Sequence, residues 1–214
     1  MRSIAAVTLF LFTVLGATAS HATYTWTPLD HPGATQTDLY GIDGANMVGH
    51  YEDSSGTHGT HYDGSTWTTL DHPGASSTTL YGIDGANMVG YYEDSSGYHG
   101  TLYDDSTWAT LDHPSATHTF LRGIDGANMV GDYTDGSGTH GTHYNGSTWT
   151  PLDHPSATST RLYGIDGANM VGFYADGSGT YHGFMVTATS PVPEPAAILL
   201  ALFGLALLPR SRRR

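Results

Sequence analysis

The sequence predicts an all-β fold built from four tandem repeats, and three observations lead to this prediction. The stretch Gly-Ile-Asp-Gly-Ala-Asn-Met-Val-Gly occurs unchanged at 41–49, 82–90, 123–131 and 164–172. Tryptophan keeps the same step of 41 residues, at Trp26, Trp67, Trp108 and Trp149. The chain also contains 28 glycines among many Ser, Thr, Tyr and Asp residues, which is typical of short strands joined by tight turns. A repeat of this length indicates a blade-type or solenoid architecture in one domain.

Each repeat is expected to contain four short strands, as the second repeat illustrates. Its strands are predicted at 78–83, 87–93, 98–103 and 107–112, where β-branched and aromatic residues are frequent. Turn residues separate these strands, and the hairpin at 104–105 corresponds to Asp-Gly and Asn-Gly in other repeats. Four antiparallel strands in a repeat of 41 residues are the content of one β-propeller blade.

The ends of the repetitive region predict that the blades close into a ring. The region begins with an isolated fourth strand at 24–30 and ends after a third strand at 182–187. The first strand is therefore expected to complete the last blade, giving a four-bladed β-propeller-like ring of 16 strands. The repeats of this domain, residues 23–190, would span about 24–64, 65–105, 106–146 and 147–189. Two chains that share one eight-bladed ring are the alternative.

The charge of the repeat domain excludes one class of partner. Between residues 23 and 190, 19 acidic residues stand against Arg122 and Arg161, and lysine is absent, so the net charge is about −17. This charge repels nucleic-acid phosphates and anionic membrane surfaces, so no nucleic acid is expected as a partner. The absence of cysteine excludes disulfides and thiolate metal sites.

The N-terminus predicts export. Residues 1–22 combine Arg2, an apolar run at 4–16 and small residues, which are the parts of a secretory signal peptide. Cleavage is expected after Ala19 or after Ala22, and the sequence does not choose between them.

The C-terminus combines Pro193-Glu194-Pro195, an apolar run and four arginines. In this order of parts it resembles the PEP-CTERM sorting signal of exported Gram-negative envelope proteins. Its three parts are a Pro-Glu-Pro motif, an apolar run at 196–208 and a basic end. The motif residues are Val192, Pro193, Glu194, Pro195, Arg210, Arg212, Arg213 and Arg214. The resemblance implies that an exosortase-type enzyme recognises the tail, residues 191–214. A helix of 13 residues spans about 20 Å, less than the roughly 30 Å hydrocarbon core, so the expected membrane contact is transient.

The repeat resembles the extracellular repeats called HAF. The counterparts of the family pattern are Gly-Ile-Asp, Met-Val-Gly and then His-Gly, with His182-Gly183-Phe184 the best match. The family motif is His-Ala-Phe. This chain has Gly in place of Ala in all four repeats and lacks the Phe in three of them. The resemblance implies a location outside the cell and carries no chemistry with it.

Recurring histidines and aspartates are the candidates for metal binding. His31, His72, His113 and His154, or the His-Gly set, could form rings of imidazoles if the repeats were arranged with four-fold symmetry. Four aspartates could likewise converge on a hard cation, namely Asp43, Asp84, Asp125 and Asp166. We expect structural roles instead, because no calcium-loop motif is present and aspartate at a turn usually caps its own backbone. No metal or other cofactor is therefore predicted.

Positions that differ between repeats are the candidates for ligand binding. The first set follows Met-Val-Gly and the second precedes His-Gly; the candidates are His50, Tyr91, Asp132, Phe173, Tyr98 and Tyr181. Such variation on a fixed scaffold could tune contacts to sugars, or it could be drift on a tolerant surface. No catalytic residue is expected, since every Ser, His or Asp candidate recurs in repeats without an asymmetric arrangement. The sequence predicts a non-enzymatic exported envelope or extracellular-matrix protein; the alternative is a module that binds polysaccharide or a divalent metal.

Overall fold

The structure, a computed structural model, describes residues 24–189, and this part of the chain is all-β. It contains fifteen strands and no helix, so the prediction of an all-β repeat fold is confirmed. None of its elements is therefore a helix that could span a bilayer. The predicted signal peptide and sorting tail lie outside the described residues.

The strands form four antiparallel sheets, one after another along the chain. Sheet 1 contains β1 (Gln36–Asp43), β2 (Asn46–Asp53), β3 (Gly56–Tyr62) and β4 (Trp67–Thr69). Sheet 2 contains β5 (Ser77–Asp84), β6 (Asn87–Asp94), β7 (Gly97–Tyr103) and β8 (Trp108–Thr110). Sheet 3 contains β9 (His118–Asp125), β10 (Asn128–Asp135), β11 (Gly138–Tyr144) and β12 (Trp149–Pro151). Sheet 4 has three strands, β13 (Ser159–Asp166), β14 (Asn169–Ala175) and β15 (Tyr181–Thr187).

The turns follow the residue types that their backbone requires. The turn between the first two strands of each sheet uses a glycine with positive φ, as at Gly85 with φ 59°. In the hairpin between the third and fourth strands, Gly64 and Gly146 have positive φ. Asp105 takes the same position in sheet 2 with φ 70°. The Asp-Gly and Asn-Gly pairs of the sequence therefore mark these hairpins correctly.

The hydrophobic core is divided into three clusters, each between two consecutive sheets. Val48 of sheet 1 packs with Leu80, Ile83 and Met88 of sheet 2, beneath the half-buried Trp108. The equivalent residues Val89 and Val130 lead the clusters between sheets 2 and 3 and between sheets 3 and 4. Since sheets 2 and 3 each bury one face against the previous sheet and one against the next, the repeats form a continuous row.

The predicted closure of this row into a four-bladed ring is wrong. Residues 24–30 form no strand, and Trp26 is 92% exposed. Sheet 4 keeps three strands because nothing within residues 24–189 pairs with the free edge of β15. The two ends of the row do not meet, because Ile42 of sheet 1 and Val171 of sheet 4 stay exposed where their equivalents between sheets are buried. Residues 24–30 therefore do not lie on the free edge of β15.

Candidate functional site

Each sheet carries a β-bulge in its first strand, and the bulge re-aims one side chain. In sheet 1 the pairing of β1 with β2 shifts between Leu39 and Gly41, which leaves Tyr40 as the extra residue. Sheets 2, 3 and 4 shift at the same place. The extra residues are Tyr40, Tyr81, Arg122 and Tyr163, which we call the bulge column.

The four side chains of the bulge column lie one above another across the four sheets. The rings of Tyr40 and Tyr81 are stacked with centroids 4.6 Å apart. The Arg122 guanidinium carbon lies 5.2 Å from the Tyr81 ring centre and 4.7 Å from that of Tyr163. Stacking covers the ring faces inside the column, and within one chain Tyr40 and Tyr163, at its two ends, are 47% and 42% exposed. The phenol and guanidinium edges form one row of hydrogen-bonding groups.

Close packing of the backbone brings these side chains together. The glycines after Tyr40, Tyr81 and Arg122 lie against the next sheet, and a Cβ on Gly123 would come within 2.8 Å of the Tyr163 carbonyl oxygen. A Cβ on Gly82 would lie 3.1 Å from the Arg122 carbonyl oxygen. Only glycine lets the first strands approach so closely, and this approach sets the short spacing of the column.

The variable positions predicted from sequence lie directly beside the column. His50, Tyr91 and Phe173 each contact the column residue of their own sheet, with ring centres 5.6 to 5.9 Å apart. In sheet 3 the pair is ionic, because Arg122 Nε donates to Asp132 Oδ1 at 2.6 Å. These four candidates therefore lie on the same face of the row, beside the bulge column. Their spacing in the sequence did not by itself predict this.

The Arg122 and Asp132 pair is the buried charged centre of this face. The Asp132 side chain is 2% exposed, and Arg161 Nε lies 3.6 Å from its second oxygen. Burial raises the pKa of Asp132, and the Arg122 and Arg161 guanidinium groups partly oppose this change. The pKa of Tyr81 rises to about 12, mainly because of burial and then because of Tyr91. Tyr81 is therefore a neutral hydrogen-bonding group at physiological pH.

Aromatic side chains extend the face toward the second set of predicted positions. Tyr98 lies edge-on to Tyr91 at 5.7 Å, and Phe120 of sheet 3 fills the space beside both rings. Tyr181 lies edge-on to Phe173 at 5.3 Å. No residue of 24–189 takes the place of Phe120 there, and an open cavity of about 360 Å³ is lined by Phe173, Tyr181, His182 and Gly183.

Three of the four aspartates that were candidates for cation binding link consecutive repeats. Asp43 Oδ2 accepts a hydrogen bond from the Gly85 amide at 2.8 Å, and Asp84 and Asp125 accept from Gly126 and Gly167 at 2.6 Å. The expectation that each aspartate caps its own turn is therefore wrong, since it binds the turn of the next repeat. No group of three metal-ligating side chains occurs within residues 24–189.

Each histidine of the first set packs against a tyrosine, and the four imidazoles do not converge on one point. His31 stacks on Tyr51 with ring centres 3.7 Å apart, and His72, His113 and His154 repeat this contact with Tyr92, Tyr133 and Tyr174. Each backbone amide also donates to a threonine, as His31 N does to Thr37 Oγ1. These contacts fix the Asp-His-Pro loop, as the sequence predicted.

The second histidine set forms a Ser, His and Asp network that the sequence analysis missed. Ser55 Oγ lies 2.9 Å from His58 Nε2, and His58 Nδ1 lies 2.7 Å from Asp71 Oδ2. The signal in the sequence is Ser-x-x-His followed by Asp thirteen residues after the histidine. The same network occurs at Ser96, His99 and Asp112 and at Ser137, His140 and Asp153.

This network has the distances of a catalytic triad, but the serine hydroxyl donates its proton to a different group. Ser55 Oγ donates to Asp53 Oδ1 at 2.6 Å, so its proton does not point at the histidine. The hydrogen bond to Asp71, followed by the charges of Asp71 and Asp53, raises the pKa of His58 despite its partial burial. Because the Ser55 hydroxyl donates to Asp53, it is not arranged to give its proton to His58 as the serine of a triad does. The arrangement orders the turn between the second and third strands.

Comparisons with known proteins do not assign a family. No family model matches the chain. No curated protein matches it either. A solved structure of SapL1 lectin in complex with alpha methyl fucoside aligns with 74% of this chain and 69% of that chain. Its TM-score is 0.39 and its sequence identity is 14%, a likeness too low to establish a common fold or ligand.

Proposed function

We propose that this protein is an exported, non-catalytic protein of the cell envelope or extracellular matrix that binds a neutral polysaccharide through the bulge column. The observation that carries the proposal is the continuous row formed by Tyr40, Tyr81, Arg122 and Tyr163. Hydroxyl-rich ligands suit such a row, because aromatic rings offer apolar surface while phenol and guanidinium groups supply hydrogen bonds.

Charge selects the class of polysaccharide. The described domain is strongly acidic, and its two arginines already face the buried Asp132 carboxylate. An anionic polymer would meet repulsion across most of the surface, whereas a neutral polymer would not. The ligand class is therefore neutral polysaccharide.

The location outside the cell rests on the two ends of the sequence. Residues 1–22 have the parts of a signal peptide, and residues 191–214 have the parts of a PEP-CTERM-like tail. Processing by an exosortase-type enzyme would release the repeat domain into the envelope or matrix, where polysaccharide is available.

The repeated Ser, His and Asp networks supply no competing catalytic function. In each of the three networks the serine hydroxyl donates to a second aspartate, as Ser55 does to Asp53. Repetition of one polar network in three equivalent turns suits a structural role better than catalysis at one point.

A glycan array followed by calorimetry tests the proposal. We expect binding to neutral polysaccharides and a loss of about tenfold or more in affinity for a Tyr40→Ser, Tyr163→Ser double variant, about 1.4 kcal/mol. Tyr24→Ser is the matched control, since Tyr24 is also exposed but lies outside the bulge column. Binding that the double variant leaves unchanged, or no neutral glycan bound at all, would contradict the proposal.

A further inference from the structure

The row of repeats ends in two faces that complement each other. Between sheets 1 and 2, Val48 is fully buried against Ile83, which is 8% exposed. The equivalent of Ile83 at the start of the row is Ile42, which is 67% exposed. The equivalent of Val48 at the end of the row is Val171, which is 47% exposed. Each end therefore exposes the half of an interface that the other end would cover.

The polar groups at these two ends show the same complementarity. Three aspartates accept a hydrogen bond from a glycine amide of the next repeat, at 2.6 to 2.8 Å. Continued by one repeat, this series would join Asp166 to the Gly44 amide of a repeat that follows sheet 4. Within residues 24–189 the Asp166 carboxylate and the Gly44 amide make no such bond. Both turns have the sequence Asp-Gly-Ala-Asn, which is the sequence of the three joined pairs.

Within residues 24–189, no fourth strand pairs with the edge of sheet 4. In sheets 1 to 3 the leucine after the fourth strand donates its amide to the glycine after the histidine, as Leu70 does to Gly59 at 2.8 Å. The edge strand β15 offers the equivalent carbonyl at Gly183. A cavity of about 250 Å³ lies beside this edge and is lined by residues that include Leu152, His154, Phe184 and Val186.

The cavity beside β15 corresponds to the place of a tryptophan in the other sheets. Trp149 lies edge-on to His113 with ring centres 5.6 Å apart, and it packs with Leu111 and Tyr144. His154, Leu152 and Val186 are the equivalents of these three residues in the next repeat. The exposed Trp26 is one repeat before Trp67, so it is the tryptophan that would fill this place.

In the part of the chain that the structure describes, the histidine of sheet 4 lacks the aspartate partner that follows the fourth strand in the other sheets. In the three complete sheets the histidine Nδ1 and the following amide bind one aspartate, as His58 and Gly59 bind Asp71 at 2.7 and 3.1 Å. In sheet 4, His182 pairs through Nε2 with Asp176 instead. Asp30 is exposed, and it is the residue that follows Leu29 as Asp71 follows Leu70.

We propose that a second copy of this chain docks on sheet 4, with its residues 24–30 as the missing fourth strand and its sheet 1 covering Val171. The contact repeats the internal interface, because the segment 41–49 that docks is identical to 82–90, 123–131 and 164–172. Two chains joined in this way at both ends would form a closed pair, as a heterologous contact does when its rotation closes.

The internal sheets define the register of this contact. His61 pairs with Thr68 and Tyr62 with Trp67 in sheet 1. By equivalence, Met185 of one chain pairs with Thr27 of the other, with their Cα atoms about 5 Å apart. A disulfide can bridge this distance. The chain has no cysteine of its own, so introduced cysteines report on this contact alone.

Cross-linking of the full-length chain in mild detergent tests the proposal. One sample of chains carries Thr27→Cys and another carries Met185→Cys; the two are mixed and oxidised with copper phenanthroline. We expect a covalent dimer on a non-reducing gel. The control pairs Thr27→Cys with Tyr181→Cys, which is four residues out of register, about 13 Å along the strand, and gives no dimer. Absence of the in-register dimer would overturn the proposal.

A double variant that carries both cysteines on one chain distinguishes two contacts: pairing of the two segments within one chain and docking between two chains. A cross-linked dimer supports the proposal, and a cross-linked monomer overturns it. Trp26→Ser should lower the yield of the in-register dimer at least fivefold in the mixing experiment. Tyr24→Ser, which removes an exposed aromatic ring outside the cavity, should not lower it. An equal effect of the two substitutions would also overturn the proposal.

Discussion

The Asp84 carboxylate accepts a hydrogen bond from the Gly126 amide, 42 residues later in the chain, at 2.6 Å. This bond joins the first turn of sheet 2 to the same turn of sheet 3. It repeats between the other consecutive sheets and lies beside the three hydrophobic clusters. The stability of the row therefore resides at the joints between repeats as well as within them.

Replacing Asp84 with alanine is expected to lower the free energy of unfolding by about 1 kcal/mol. The change removes one charge-assisted hydrogen bond at a partly exposed site and leaves the Gly126 amide to water. Urea unfolding measures the loss. Asp105→Gly is the control, because it places the residue found at 64 and 146 at a position with φ 70° and should be neutral or slightly stabilising. Equal unfolding midpoints for Asp84→Ala and wild type would contradict this role.

Gly123→Ala is expected to destabilise the protein by about 1 to 3 kcal/mol. Its new Cβ would lie 2.8 Å from the Tyr163 carbonyl oxygen, so sheets 3 and 4 would have to separate. The control is Gly136→Ala, since a Cβ there has nothing within 4 Å and φ is not positive. Thermal unfolding of both variants gives the comparison. Two variants of equal stability would show that the first strands are not in close contact.

Arg122→Tyr is expected to destabilise the protein by about 3 to 5 kcal/mol. The change leaves the Asp132 carboxylate, which is 2% exposed, without its main partner. The double variant Arg122→Tyr, Asp132→Tyr copies the pair Tyr81 and Tyr91 of sheet 2 and should recover most of the loss. A double-mutant cycle by urea unfolding measures the coupling. Additive losses, with no recovery in the double variant, would contradict the account of this pair.

The three Ser, His and Asp networks predict a loss of stability as the pH rises through neutrality. The pKa values of His58, His99 and His140 are raised above 6.5 in the folded chain. The bond to Asp71 is the largest cause for His58, and the bond to Asp153 is the largest cause for His140. For His99, burial opposes the shift, but the bond to Asp112 and nearby charge outweigh it. A raised pKa in the folded state contributes stability that is complete below pH 6.5 and disappears as the pH passes the folded value.

A variant in which all three aspartate partners become asparagine isolates this contribution. Asp71→Asn, Asp112→Asn and Asp153→Asn remove the carboxylates that bind Nδ1 of the three histidines. Burial lowers the pKa of His72 and His113, so these residues make the folded state more stable as the pH rises. Wild type and variant share this contribution, and it cancels in their difference. The difference in unfolding free energy between wild type and variant should shrink from pH 6 to pH 8.5. A difference that does not change over this range would refute the charge on these histidines.

Much of each repeat could be predicted from sequence because its turns and alternation are local signals. The second repeat was predicted to have strands at 78–83 and 87–93, and β5 and β6 cover Ser77–Asp84 and Asn87–Asp94. The fourth strand was predicted at 107–112, but only Trp108–Thr110 pairs. Closure of the row was wrong as a prediction because it depends on whether the two ends of the row meet, and no pattern within one repeat determines that.

The candidate site was predicted in part. Variation between repeats led to His50, Tyr91, Asp132 and Phe173, which the structure places side by side, although their role in binding stays a prediction. The bulge column was missed, since a residue inserted by a bulge breaks the alternation that assigns faces to a strand. Its signal was nevertheless present: the residue before Gly-Ile-Asp is Tyr in three repeats and Arg in one.

Chemical-shift mapping with a bound neutral oligosaccharide tests the central claim most directly. The full-length chain is labelled on its tyrosine rings and arginine side chains, and the sugar that binds best on the array is titrated in. We expect the largest shifts at Tyr40, Tyr163 and Arg122, with no response from the exposed Tyr24. Shifts that centre on other tyrosines and leave the bulge column unmoved would contradict the account.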